Sequence, residues 1–79
     1  MSSTSIRDIR EIVREEPLMH RPILEALAAG PLTVLDVAAA IGHPTDEVLI
    51  WIMGMRRYGL VVELPEPSED GYFSYAAVE

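Results

Sequence analysis

The sequence predicts a mainly α-helical domain closed by a small C-terminal β-hairpin. Three observations carry that fold class. Four stretches repeat apolar residues at helical spacing, and each is bounded by capping residues, glycines or prolines. After Gly59 the pattern switches to two β-prone runs, Leu60 to Leu64 and Tyr72 to Val78. Between those runs, the segment from Pro65 to Gly71 is dense in turn formers, as a hairpin connection requires.

Thr4 or Ser5 can cap the first helix by accepting from its orphan backbone donors, and Asp8 falls in the first turn, where the helix dipole favours an anion. Ile6, Ile9 and Val13 lie at i, i+3 and i+7, with Ile12 beside them. This stripe is too apolar to stay free in water on so small a domain, so it is expected to pack on the body or on a second copy. Pro17 ends the element, because the residue before a proline is pushed out of the helical region. Residues 1–16 are accordingly an N-terminal amphipathic helix and residues 17–79 the body.

Pro22 suits the first position of a second helix, which runs through Ile23, Leu24 and Leu27 to a cap at Gly30; Leu18 and Met19 belong to its start or to the connection. Pro31 blocks continuation. Thr33 then caps a third helix carrying Val34, Val37, Ala38 and Ile41 and ending at Gly42. After the link His43-Pro44-Thr45, Thr45 is the expected cap of a fourth helix, Asp46 to Tyr58, with two acids in its first turn.

Two helices joined by a short turn, the second followed by Gly59-Leu60-Val61 and a hairpin, follow the order of a winged helix-turn-helix. Ala38 and Ile41 precede the turn at Gly42, and Val48, Ile52, Met55 and Gly59 follow it at matching helical intervals. In this spacing the chain resembles the winged helix-turn-helix superfamily over roughly residues 20 to 78, with an extra N-terminal helix. The resemblance implies that the fourth helix would lie in a DNA major groove and that the segment from Pro65 to Gly71 would be the wing.

The residues themselves argue against that use. At 100° per residue, Val48, Trp51, Ile52, Met55 and Tyr58 gather on the core side of the fourth helix. Asp46, Leu49, Ile50, Met53, Gly54 and Arg57 are left on the other side, a mainly aliphatic surface where a groove-reading face needs polar and basic residues. The wing would press Glu66, Glu69 and Asp70 toward phosphates, and no basic residue follows Tyr58. Only Arg56 and Arg57 lie near a possible DNA-binding surface.

Composition narrows the function classes further. Seventy-nine residues have room for one core, since so short a chain buries only about 60% of the surface it exposes when unfolded. An apolar content of 49% therefore implies either a rich core or apolar surface that meets a partner. With no cysteine there is no disulfide framework, thiolate metal site or cysteine nucleophile. The absence of a long apolar run and of a charged N-terminal leader points to a cytoplasmic protein with no membrane partner. Six arginines against thirteen acids set a net charge of −7, which repels polyanions at long range.

No constellation for catalysis, a cofactor or a metal stands out. His43 reads as a turn residue and His20 as a solvated or capping one, and two histidines are too few for a metal site. Adjacent acids such as Glu15-Glu16 and Glu69-Asp70 ordinarily diverge into water rather than share a proton. The serines have no partnering base, and the glycines are spread as caps and turns rather than gathered in a phosphate loop. Gly54, inside a helix, marks either a close approach by another backbone or simple tolerance. Trp51 and Tyr58 are expected in the core; Phe73 and Tyr75 should share one strand face, with Tyr72 on the other.

The sequence thus favours a non-catalytic protein-interaction module, an accessory subunit or a homo-oligomer, with Leu49, Ile50, Met53 and Arg57 as the partner-binding surface. The alternative is a DNA-binding transcriptional regulator using the helix 46–58, the hairpin 60–78, Arg56 and Arg57.

Overall fold

A break at Glu15 divides the N-terminal helical stretch in two. In the computed structural model, which describes residues 8–67, 69 and 71–78, α1 spans Ile9–Arg14 and α2 spans Glu16–Leu27. Pro17 has no N–H to continue α1, but it sits in the first turn of α2, where backbone donors lack partners in any case. The expected start at Pro22 is therefore corrected: Pro22 lies inside α2, and Leu18, Met19 and His20 are helical. The cap of α1 is Asp8, whose carboxylate accepts from the Arg10 backbone N–H at 2.9 Å. Thr4, Ser5 and Ile6 lie outside the described residues.

The third and fourth helices follow their local signals closely. In α3, Val34–Ile41, the Thr33 hydroxyl accepts from the Asp36 N–H at 3.1 Å. Gly42 closes it in the left-handed region at φ 74°, which lets its own N–H and that of His43 both reach the Ala38 carbonyl. Helix α4 spans Thr45–Arg57, so Thr45 is its first residue rather than its cap; Pro44 holds the cap position.

The hairpin is present but narrower than the β-prone runs, with β2 at Val61–Glu63 and β3 at Ser74–Ala77. A third strand was not legible in the sequence: Leu32–Thr33, here β1, pairs with β3 as Leu32 opposite Tyr75 and Thr33 opposite Ser74. The sheet is antiparallel in the order β1-β3-β2, and Val61 to Glu63 of β2 face Ala77 to Tyr75. Two residues cannot show a period of two, and the same Thr33 that ends β1 caps α3.

Among the described residues the architecture is thus four helices and a small antiparallel sheet, with α4 in contact with α1, α2, α3 and β2. Its core joins Ile23 and Leu27 of α2, Val37 and Ala38 of α3, Val48, Trp51, Ile52 and Met55 of α4, and Val61 and Tyr75 of the sheet. From α1 only Ile12 reaches this cluster; Ile9 is 60% exposed and Val13 is also exposed, so among the described residues of the expected stripe Ile12 alone is buried. Tyr58, expected in the core, is 71% exposed beyond the end of α4. Among the described residues, no helix is long and apolar enough to cross a membrane.

Candidate functional site

The two flanks of α4 are finished differently. Toward α1 and α2, the fully buried Trp51 donates its indole N–H to the Ile12 carbonyl at 2.6 Å, and its ring meets the edge of His43 at 5.3 Å between centroids. One helical turn on, Gly54 is buried because the Glu16 carboxyl lies where a side chain on residue 54 would have to go. The close approach at Gly54 is therefore made by a side chain rather than by a second backbone.

Glu16 itself is buried, contrary to the expectation that it diverges into water, and its Oε2 lies 2.9 Å from His20 Nε2 across one turn of α2. His20 is half-buried in this pair rather than solvated. A hollow of about 400 Å³ opens outside it, lined by Val13, Glu16, Pro17, His20 and Tyr58.

The opposite flank, toward the hairpin, is open. Leu49, which is 42% exposed, projects from α4 beside Thr45 into a groove of about 250 Å³. Val34 and Leu35 of α3 form a second wall, and Gly71, Tyr72, Phe73 and Tyr75 of the hairpin form the third. Tyr72 and Phe73 precede β3 and are both exposed, so the expected alternation between strand faces does not apply to them.

The sequence-derived surface is only partly outward. Leu49 is exposed and Arg57 is exposed at the end of α4, whereas Ile50 and Met53 are half-buried and pack against the core, and Gly54 is fully inside. The helical projection treated α4 as buried on one side. Because α1 and α2 cover it as well, the buried arc widens to take in Glu47 and Gly54. Of the lining residues, sequence reasoning selected Leu49 alone for the surface; the aromatic pair directly after Gly71 was the available signal for the rest.

Arg56 is exposed but forms an ion pair within the domain. Its guanidinium lies 3.5 Å from Glu63 Oε1, and the same oxygen accepts from the Tyr75 hydroxyl at 3.0 Å. Burial, then the hydrogen bond to Glu63 and that carboxylate's charge, raise the Tyr75 pKa above its usual value, with Arg56 pulling it back. Both arginines of the candidate DNA-contacting pair are exposed, and Arg56 is also tied to the sheet through Glu63.

No protein-family model matches the chain, and no curated protein matches it in sequence. Among solved structures, the chain is similar to human N-acetylserotonin methyltransferase in its crystal structure with SAM, with a TM-score of 0.62 and 18% identity. The match covers 100% of this chain and 26% of that one, so this chain spans about a quarter of the methyltransferase's length. At that identity the likeness is one of fold.

Proposed function

We propose that the chain is a non-catalytic winged-helix module that binds another protein through the groove between α3, α4 and the hairpin. The order α3, turn, α4, β2, β3 supports the winged-helix reading, with the segment from Pro65 to Gly71 as the wing and α1 as the extra N-terminal helix. The observation that carries the function is the apolar groove around Leu49, where a DNA reader of this architecture would present polar and basic side chains. In this reading Leu49 is the centre of the interface, Arg57 lies at its margin, and Ile50 and Met53, half-buried against the core, contribute less than the outward projection implied.

Two measurements on the purified chain test this together. Titration with duplex DNA near physiological ionic strength should show no salt-sensitive binding; micromolar or tighter binding with a steep salt slope would replace this reading with that of a transcriptional regulator. Affinity purification at native expression, from wild type and from Leu49→Asp, should yield a stoichiometric protein partner or a self-associated species only for the wild type. Undisturbed association of Leu49→Asp would place the interface elsewhere.

A further inference from the structure

Resting on that reading, we infer that the groove takes a cationic amphipathic segment of a different protein, with apolar side chains in the groove and Arg or Lys on its flanks. The size comes first. At about 250 Å³ the groove is below the roughly 300–1,000 Å³ of a drug-sized ligand site, so it suits one or two large side chains of a polypeptide. Its walls are mainly aliphatic and aromatic, and among the described residues no charged side chain lines it. The part of the occupant that enters is therefore apolar.

The flanks follow from the acidic rim, meaning the exposed acids that neighbour the lining residues in sequence. Asp36 directly follows Leu35, Asp46 directly follows Thr45, and Glu66 and Glu69 lie on the link that leads into Gly71; all four are exposed. No Lys or Arg occurs from residue 22 to 55 or from 58 to 79, the stretches that build α3, most of α4 and the whole hairpin. Those stretches hold four and five acids respectively, and of these Glu63 is paired with Arg56. All six arginines lie at positions 7, 10, 14, 21, 56 and 57, so the charge of −7 is concentrated on the part of the chain that forms the groove.

This distribution selects among occupants. A second copy would bring its own −7, and its arginine-bearing N-terminal part also carries Asp8, Glu11, Glu15 and Glu16, so it answers the rim weakly. A basic partner is drawn toward the acidic rim over several ångströms and is fixed in register by the charges flanking its apolar anchors.

The test uses the full chain and three labelled peptides of about fourteen residues, roughly four helical turns. One carries Leu and Arg at helical spacing, one replaces Arg with Glu, and one replaces Leu with Ser. Fluorescence anisotropy should show binding of the Leu/Arg peptide only, weakening as salt rises from about 50 to about 300 mM, and amide NMR should place the shifts at Leu49, Tyr72 and Phe73. Phe73→Ser should lower its affinity about tenfold, and Asp36→Asn with Glu69→Gln about threefold, with each variant still folded by circular dichroism. Equal binding of the Leu/Glu peptide, or no binding of any peptide, overturns the cationic assignment. If Leu49→Asp still breaks a native complex while no peptide binds, the interaction reading stands and only the partner's charge is wrong. Shifts confined to Arg57 and the end of α4 on adding duplex DNA would overturn both.

Discussion

The α1–α2 flank of α4 and its hairpin flank bury comparable side chains in different ways. On the first, specific polar contacts complete the packing: the Trp51 indole on the Ile12 carbonyl, and the Glu16 carboxyl seated over Gly54 and held by His20. On the second, Leu49, Leu35, Tyr72 and Phe73 converge without closing and stay about half exposed. A small domain has too little interior to cover every apolar side chain, so where it spends its covering elements matters. Here α1 closes one flank and nothing in the described residues closes the other. The difference separates contacts that hold the fold from a flank that, under the proposed function, is left for a partner.

The strongest way to break the comparison is to remove α1. Deleting residues 1–14 takes away Ile12, worth about 2–5 kcal/mol as a buried aliphatic side chain, and removes the carbonyl that Trp51 uses. Tm should fall by ten degrees or more, on the order of 4–8 °C per kcal/mol for a domain of this size, and the Trp51 emission should shift to longer wavelength. An unchanged Tm and an unchanged spectrum would mean that α1 is an ornament rather than a seal.

Next in size, Gly54→Ala sets two effects against each other. Alanine should gain about 1 kcal/mol of helix propensity, but its methyl group displaces the Glu16 carboxyl from its seat beside His20, at a cost of about 1–3 kcal/mol for a buried charged group that loses its place. The expected net effect is a loss of about 1 kcal/mol. In a Glu16→Ala background the same change should become stabilising, and denaturant unfolding of the four variants measures the coupling. Additive effects would show that Glu16 does not dictate the glycine.

A smaller effect lies at the sheet. The neutral Tyr75 hydroxyl donates to Glu63, and its pKa is raised in the fold, so its contribution is whole below about pH 10 and is lost as pH rises through the higher folded value. Tyr75→Phe should lower stability at neutral pH by about 1 kcal/mol, one hydrogen bond, and flatten the alkaline limb of a stability–pH curve, so that the difference from wild type shrinks as pH rises. The smallest expected change is Leu49→Asp, which should alter the stability of the isolated domain by no more than about 1 kcal/mol, since the side chain is already in part solvated. Met53→Glu should cost more, because Met53 packs against the core. Equal costs for the two would erase the distinction between the open groove and the half-buried residues packed on the core.

Local chemistry determined much of this protein. Thr33 and Gly42 bound α3 as their capping chemistry requires, Val48, Ile52 and Met55 form the core row at helical spacing, and the glycine and turn-forming residues place the hairpin. These signals act over a few residues, so they are written in neighbouring positions. Only the tertiary structure decided that Pro22 would be carried inside a helix, that Leu32–Thr33 would add a third strand, that Glu16 would be buried against Gly54 and that Tyr58 would be left outside. It also decided which part of the outer face of α4 stays open, leaving Leu49 with the hairpin aromatics and drawing Ile50 and Met53 inward. Each of those outcomes depends on which distant element comes to lie against a residue, and a helical period records the direction of a side chain along its own axis but not what meets it there.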